Sequence, residues 1–178
     1  MIDFVVAGLS ANSVPYIEAL ELQRAVHRSV VAGSRPDTVI LLEHPSVYTA
    51  GKRTEPSERP TDGTPVIDVV GYVRRLEGIL IETLALVGVV GERVEGRSGV
   101  WVGNDKIAAI GIRVAEGATM HGFAINCDNG FDAYERIVAC GIRDSGVTSI
   151  SRVLGHTVTT GQVAPLVERA FTRAMADA

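Results

Sequence analysis

The stretch from Ser98 to Val114, SGVWVGNDKIAAIGIRV, constrains the fold more than any other part of the sequence. Two apolar runs flank Gly103-Asn104-Asp105, and a short turn between such runs is typical of a β-hairpin. The second run alternates, so one face of its strand carries four apolar side chains: Ala108, Ile110, Ile112 and Val114. We therefore expect a sheet with at least one buried face.

Three further segments have strand character. Met120–Cys127, MHGFAINC, predicts a third strand beside the hairpin. Alternation groups His121, Phe123, Ile125 and Cys127 on one face, and Gly122, Ala124 and Asn126 on the other. Asp37–His44 predicts a buried strand, and Pro65–Val69 a further one.

Apolar residues at spacings of three and four predict helices between and after these strands. The long helices are Pro15–Gly33, with Asn12 or Ser13 as a cap, Val70–Val87, and Gly161–Met175. Phe131–Ala139 and Thr148–Leu154 predict shorter ones. Strands and helices in this mixed order indicate an α+β fold and not a doubly wound sheet.

Composition bounds the class of protein. The chain has 178 residues, of which 46% are hydrophobic and 21% charged, so we expect one globular domain spanning residues 1–178. A net charge of −4 argues against nucleic acid or an anionic membrane as the main partner. No apolar run approaches the ~20 residues that span a bilayer, and Asp3 replaces the basic start of a secretory signal. We expect a cytoplasmic, monomeric protein with both cysteines reduced.

Cys140, in the stretch YERIVACGI, is the first candidate for a catalytic residue. A thiol attacks as the thiolate, and a free cysteine at pH 7 is mostly protonated. At the C-terminal end of the predicted Phe131–Ala139 helix, the helix dipole disfavours a thiolate. A catalytic Cys140 therefore requires a cation or base from elsewhere; the alternative is a small buried residue without a chemical role.

Lys106 is the first candidate for that cation or base. It follows the hairpin turn at the start of KIAAIGIRV, from where its side chain can extend over a neighbouring pocket. The alternative is a solvated charge beside the turn. His44 and His121 are the other possible bases, although a strand histidine such as His121 is more often a hydrogen-bonded structural residue.

Other chemistries lack their motifs. The sequence has no G-x-x-x-x-G-K-[ST] phosphate loop and no G-x-G-x-x-G after a strand. Cys127 and Cys140 have no second cysteine or histidine at close spacing, so a zinc cage is not expected. Cys127 is interpreted as ordinary packing. We expect no cofactor and no metal.

Three stretches, taken in order, resemble the octanoyltransferases of lipoic acid synthesis, the lipoyl/octanoyl-protein transferases also called lipoate-protein ligase B. They are LLEHPSVYTAGKRTEPSERPTDGTPVIDV, GRSGVWVGNDKIAAIGIRV and MHGFAINCDNGFDAYERIVACGI. The resemblance covers the chain from about Leu20 to Leu154. It implies an α+β fold related to the biotin and lipoate protein ligases.

The resemblance also implies an activity and its residues. Family members move an octanoyl group from octanoyl-acyl carrier protein to a lysine of a lipoyl domain, through a cysteine thioester. The matching positions are Cys140 as the nucleophile and Lys106 as its activator. The segments that match the family's acyl site are Ala109, Ile110 and Gly111, and Gly122, Phe123 and Ala124. The acceptors implied are the lipoyl domains of 2-oxoacid dehydrogenases and the glycine cleavage H protein.

The chain departs from the family after PVIDV. Family members carry a glycine-rich segment there, with Arg-Gly-Gly and His-Gly-Pro-Gly-Gln, whereas here the sequence continues almost directly into the helix that begins near Val70. Either the protein lacks the segment, which weakens the case for acyl binding, or the sequence omits a loop. We favour an omitted loop, because Asp68-Val69-Val70 has no turn residue to join a strand to a helix.

Two other functions remain open. An ATP-dependent lipoate or biotin ligase would not need Cys140. A degenerate, non-catalytic member that only binds a lipoyl domain would explain the missing segment but not the retained Cys140 and Lys106. Because the partners implied are acidic, a rim of arginines is a candidate docking surface: Arg53, Arg59, Arg74, Arg75, Arg93 and Arg97.

Overall fold

A computed structural model of the protein describes residues 2–45, 47, 69–132 and 145–176. The strands are β1 (Asp3–Gly8), β2 (Thr38–Leu42), β3 (Glu92–Val94), β4 (Arg97–Val102), β5 (Asp105–Ala115), β6 (Ala118–Ile125) and β7 (Gly146–Val147). The helices are α1 (Tyr16–Val31), α2 (Val69–Leu86), α3 (Ile150–Leu154) and α4 (Thr160–Ala176), with a 3₁₀ turn at Ser10–Asn12.

The strands form two sheets. β1 and β2 pair in parallel, as do β5 and β7, whereas β3, β4, β5 and β6 pair in that order and antiparallel. β7 lies beside β5 where β6 has already ended, since Asp105 and Lys106 pair with Gly146 and Val147 while β6 pairs with β5 only from Ala108 onward. Helices packed on a mixed sheet confirm the predicted α+β class.

The core lies between the larger sheet and the helices α2 and α4. α2 contributes Leu76, Leu80 and Leu84, which are at most 1% exposed. α4 contributes Phe171, whose ring stacks on Phe123 of β6 at 6.1 Å and meets Phe4 of β1 edge-on at 6.5 Å. Because it touches a strand of each sheet, Phe171 joins the small sheet to the large one.

A buried carboxylate fixes α2 to the sheet. The Glu77 side chain is fully buried and accepts hydrogen bonds from Arg74 (2.8 Å), from Arg93 of β3 (3.1 Å) and from the backbone N–H of Gly99 in β4 (3.1 Å). Gly99 has φ +106, and a Cβ there would collide with the Ala108 carbonyl. Only glycine therefore lets β4 lie this close to β5 at that position.

The long helices confirm their sequence patterns. α1 buries Ala19 and Val26 and ends before Gly33, which has φ +68, as a glycine after a helix commonly does. The predicted cap is wrong: α1 follows Pro15 without a side-chain cap, and Asn12 belongs to the preceding 3₁₀ turn. α3 has its cap at Ser149, whose Oγ accepts from the Arg152 N–H.

The hairpin of β4 and β5 and the strand β6 are confirmed, while β1 and β3 were not predicted. β2 is half-buried along its length and not fully buried, because among the described strands only β1 pairs with it. Of the predicted strand at Pro65–Val69, only Val69 is described, and it is helical. The predicted Phe131–Ala139 helix lies outside the described residues beyond Asp132.

No helix in the described part of the chain combines the length and the apolar character needed to cross a membrane.

Candidate active site

Lys106 lies in the middle of the larger sheet, near the start of β5. It pairs with Trp101 of β4 on one side and with Val147 of β7 on the other. Its carbonyl accepts a hydrogen bond from the Thr148 N–H at 3.0 Å. The residue is half-buried. Lys106 is therefore not simply a solvated charge beside a turn, because neighbouring strands flank it on both sides.

A β-bulge at Ile107 sets the direction of the Lys106 side chain. Trp101 pairs with Lys106 but Val100 pairs with Ala108, so β5 has one extra residue between these two pairs. Residues paired across antiparallel strands share a face, and Val100 and Trp101 point to opposite faces of β4. Lys106 and Ala108 consequently point to opposite faces, although simple alternation predicts that they share one.

The Lys106 ammonium lies over the indole ring of Trp101, with Nζ 4.8 Å from the ring centroid. The Arg97 guanidinium is 5.4 Å from the same ring. Both distances are in the range of cation–π attraction. The position of the Lys106 side chain thus depends on its contact with the Trp101 ring as well as on the backbone conformation.

The segment that carries Cys140 returns to the sheet beside Lys106. Cys140 itself lies outside the described residues. Six residues later in the sequence, Gly146 pairs with Asp105, the residue directly before Lys106. The strand pairing therefore joins the end of this segment to the start of β5.

Cys127 is a buried thiol. Its side chain is 2% exposed within the core, and its Sγ is 3.8 Å from the Ile125 carbonyl. Burial, with smaller contributions from the negative charges of Asp128 and Glu43, raises the pKa of Cys127 from 9.0 to about 12. Cys127 is therefore protonated at neutral pH, as expected of a packing residue.

The residues predicted to bind the acyl chain lie on both faces of the β5–β6 pair. Ala109 pairs with Ala124 and Gly111 with Gly122, which gives one face a row of four small residues. Ile110 and Phe123 also pair, but they point to the other face and pack against the core. A Cβ added at Gly111 or Gly122 would meet no atom within 4 Å among the described residues. No described residue thus covers the two glycines on the small-residue face, whereas Ile110 and Phe123 lie on the core side of the same strands.

The two histidines considered as bases differ in their surroundings. His44 Nδ1 is 2.8 Å from the Val14 carbonyl, which can only accept, so Nδ1 carries the proton and Nε2 is left unprotonated in the neutral ring. His121 is exposed, although alternation groups it with Phe123 and Ile125. Its φ of +64 redirects the side chain, and this uncommon conformation has no signature in the sequence except the following Gly122.

The arginines of the predicted docking rim are largely engaged within the protein. Arg74 and Arg93 pair with Glu77, and Arg97 lies over Trp101. Arg75 contacts the Met175 sulfur at 3.9 Å, while Arg53 and Arg59 lie outside the described residues. These contacts hold the four described arginines in place, and Glu77 also offsets part of the positive charge of Arg74 and Arg93 that a partner would meet.

The catalytic domain of lipoyl protein ligases A and B, as a family model, matches residues 60–172, more than half of the chain. The chain belongs to this family. The matched range contains the whole larger sheet together with Lys106, Cys127 and Cys140.

Within the lipoyl protein ligase A/B family, this chain is similar to proteins named octanoyltransferase. It is 57% identical to the one from Clavibacter sepedonicus over 99% of this chain and 92% of the relative. The identity is 51% with the protein from Leifsonia xyli subsp. xyli, over 96% and 92% of the two chains. It is 47% with that from Mycolicibacterium smegmatis, over 92% and 86%. The predicted family and the predicted acyltransferase class are confirmed.

The relatives are longer inside the matched region. The alignment with the Clavibacter sepedonicus protein extends over 214 positions against the 178 residues of this chain, so at least 36 positions of that relative, the excess of 214 over 178, have no counterpart here. A shortfall of this kind agrees with the departure from the family noted after Asp68.

Proposed function

We propose that this protein is a cytoplasmic octanoyltransferase, in which one catalytic domain, residues 1–178, moves an octanoyl group from octanoyl-acyl carrier protein to a lysine of a lipoyl domain. Cys140 carries the acyl group as a thioester, and Lys106 activates the thiol. The observation that carries the proposal is the placement of Lys106: half-buried and held between two strands, beside the point where the Cys140 segment rejoins the sheet. No cofactor is needed.

The first step exchanges one thioester for another. Lys106 in its amine form takes the thiol proton of Cys140 and as the ammonium stabilises the resulting thiolate. The thiolate attacks the octanoyl carbonyl, the Cys140 Sγ–C bond forms, and the carbonyl–sulfur bond to the carrier breaks. The carrier thiolate takes the proton from the Lys106 ammonium. Because the two thioesters have similar energies, the step requires no ATP.

The second step forms an amide. The amine of the acceptor lysine attacks the Cys140 thioester, the carbon–nitrogen bond forms, and the Cys140 thiolate leaves. The proton lost by the amine passes to Lys106 and then to the thiolate, which restores the starting enzyme. An amide is more stable than a thioester, so this step runs downhill, and we expect ping-pong kinetics.

The surroundings of Cys127 make it unsuited to be the nucleophile, which supports the assignment of that role to Cys140. The chain has two cysteines, and one of them is buried, protonated and part of the core. A thioester on Cys127 would require burial of an eight-carbon chain where the core is already filled. Cys140 is the remaining thiol.

The small-residue face of β5 and β6 suits an alkyl chain. Ala109, Gly111, Gly122 and Ala124 leave the backbone open to close approach. A fatty chain on this face would lie on main chain and methyl groups, with Ile110 and Phe123 fixing the strands from the core side. We propose this face as the acyl site.

A second candidate function is a non-catalytic member of the family that binds a lipoyl domain without turnover. The observation that favours it is the shortfall of at least 36 positions relative to the Clavibacter sepedonicus protein, the excess of 214 over 178. Lys106 opposes it, because a binding module does not need a half-buried lysine beside the segment that carries a second cysteine.

Intact mass spectrometry after incubation with octanoyl-acyl carrier protein tests the proposal. The wild type and Cys127→Ala should each gain one octanoyl group, hydroxylamine should remove it, and Cys140→Ala should gain none. Addition of a lipoyl domain should then move the group to the acceptor. Absence of the adduct in the folded wild type, with intact binding of the lipoyl domain, would favour the non-catalytic member. Transfer that requires ATP and proceeds in Cys140→Ala would favour a ligase.

A further inference from the structure

Trp101 is the single tryptophan of the protein, and its position in β4 is unusual. Its side chain is 0% exposed, yet two cationic groups lie over its ring: Lys106 Nζ at 4.8 Å and the Arg97 guanidinium at 5.4 Å from the centroid. A fully buried indole in a core normally packs against apolar groups. Here it packs against the side chain proposed to activate the nucleophile.

We propose that Trp101 is a positioning residue, whose indole face holds the Lys106 ammonium where the proposed reaction needs it. The inference rests on the proposed function for the role of Lys106, but not for the contact itself.

The backbone brings the two residues together. Trp101 and Lys106 pair directly across β4 and β5, and the bulge at Ile107 puts Lys106 on the face of Trp101 instead of the face of Ala108. Without the extra residue, Lys106 would share the face of the buried Val100 and Ala108. The bulge thus directs the Lys106 side chain towards Trp101, and the indole ring then attracts its ammonium group.

The orientation of the Trp101 ring is explained by contacts on the face of the ring and not by a hydrogen bond of its N–H. Nε1 of Trp101 is buried and has no hydrogen-bond partner among the described residues. A buried tryptophan N–H usually finds a partner, so its orientation is often explained by that bond. Within the described part of the chain, the contacts that account for the orientation of Trp101 are its packing and the two cations on its ring.

Cation–π attraction acts on the ammonium and not on the neutral amine. The ring therefore limits the positions of the charged Lys106 side chain, which otherwise has four rotatable bonds. A restrained ammonium can stabilise a thiolate at a fixed position at a lower entropic cost than a free one.

The fluorescence of the sole tryptophan tests the contact without any activity. The emission of Trp101 should change in wavelength and intensity in Lys106→Met, which keeps an unbranched side chain but removes the charge. Arg113→Met is the control, because Arg113 is exposed on the same strand, seven residues or about 23 Å away. Emission that is the same in Lys106→Met as in the wild type would overturn the inference.

A double-mutant cycle tests the positioning role. Single-turnover octanoylation of the protein should be about 3- to 30-fold slower in Trp101→Leu than in Trp101→Phe, since both remove the indole but only phenylalanine keeps an aromatic face. The pH profile of Trp101→Leu should shift to higher pH, towards that of Lys106→Met. The double variant Trp101→Leu/Lys106→Met should be no slower than Lys106→Met alone.

Equal rates in Trp101→Leu and Trp101→Phe, or effects that multiply in the double variant, would overturn the inference. A wild type that is never octanoylated would contradict the proposed function, while the emission of Lys106→Met still decides the contact. If both Trp101 variants fail to fold, the emission measurement also decides, because it retains Trp101.

Discussion

We expect the two cysteines to differ in reactivity, because one is buried and the other is proposed to lie near a cation. Cys127 follows β6 into the core, where burial stabilises the neutral thiol. Cys140 lies in the segment that ends beside Lys106, a cation that can stabilise a thiolate. The two thiols should therefore differ in reactivity by orders of magnitude.

Alkylation measures this difference. At about pH 8, a thiol with a pKa of about 12 is ionised to roughly one part in ten thousand. Iodoacetamide should modify Cys140 within minutes and leave Cys127 unmodified in the folded protein, with both modified in urea. Peptide mass spectrometry identifies the site. Preferential modification of Cys127 in the native protein would contradict its assignment to the core.

The raised pKa of Cys127 also predicts a pH dependence of stability. Because the folded-state pKa lies above 9.0, the contribution of the neutral buried thiol is complete below about pH 9 and declines as the pH rises from about 9 towards 12. The urea midpoint of the wild type should fall more between about pH 7 and pH 10.5 than that of Cys127→Ala. An equal fall in both proteins would show that Cys127 ionises as freely when folded as when unfolded.

Lys106 is the residue that we propose as the activator of the Cys140 thiol. Lys106→Ala should slow the octanoylation of Cys140 by about 10²- to 10⁴-fold, the usual range for loss of a general acid–base group. The pH profile should move to higher pH, because the thiolate then forms without a neighbouring cation. Single-turnover rates across the pH range measure both effects. An unchanged profile would count against Lys106 as the activator.

At the scale of elements, the pairing of β5 and β6 produces one face that packs into the core and one face of small residues. Ile110 and Phe123 pack into the core, whereas no described residue lies within 4 Å of a Cβ placed on the paired residues Gly111 and Gly122. Alternation along the strands produces this division without any loop. The proposed acyl site is therefore part of the regular sheet, which gives it a rigid base.

A size series at Gly111 tests that site. The φ of Gly111 lies outside the left-handed region, so alanine and leucine fit its backbone, and a Cβ there meets no described residue within 4 Å. Gly111→Ala should change octanoylation little, while Gly111→Leu should raise the KM for octanoyl-acyl carrier protein at least tenfold. Urea denaturation should show both variants within about 1 kcal/mol of the wild type, because surface substitutions rarely cost more. Normal kinetics in Gly111→Leu would exclude this face as the acyl site.

At the scale of the molecule, the ion pairs of Glu77 connect α2 to β3 and β4, the strand that carries Trp101. The Glu77 side chain is 0% exposed, while those of Arg74 and Arg93 are 47% and 44% exposed. Loss of the carboxylate would leave the Gly99 N–H buried without its partner, whereas the half-exposed arginines could turn to water. The Glu77 network thus contributes to stability more through its hydrogen bonds than through the attraction between its charges.

Glu77→Ala should lower the free energy of unfolding by about 2–4 kcal/mol, because the Gly99 N–H loses its partner and the hydrogen bonds of two arginines to the carboxylate are lost. Arg173→Met is the matched control, since it removes an ion pair between α4 and Glu82 of α2 in which the arginine is 75% exposed. That change should cost less than about 1 kcal/mol. Urea denaturation compares the two, and equal losses would show that the Glu77 network contributes no more than a surface pair.

The elements that could be predicted from the sequence are those whose pattern is local. The spacing of Leu76, Leu80 and Leu84 predicts α2, and the turn at Gly103-Asn104 predicts the hairpin, because periodicity and turn chemistry act between near neighbours. β1 is held by parallel pairing with β2, some 35 residues away along the chain, so its short sequence alone did not predict it.

The sequence by itself determined the family, the α+β class and the candidate pair Cys140 and Lys106, because each depends on which residues occur and in what order. Only the tertiary structure decided where Lys106 points. One extra residue at Ile107 changes the face of every residue before it, and a partner strand must be present before a bulge exists. The contact with Trp101 follows from that pairing across two strands, which no local pattern in the sequence encodes.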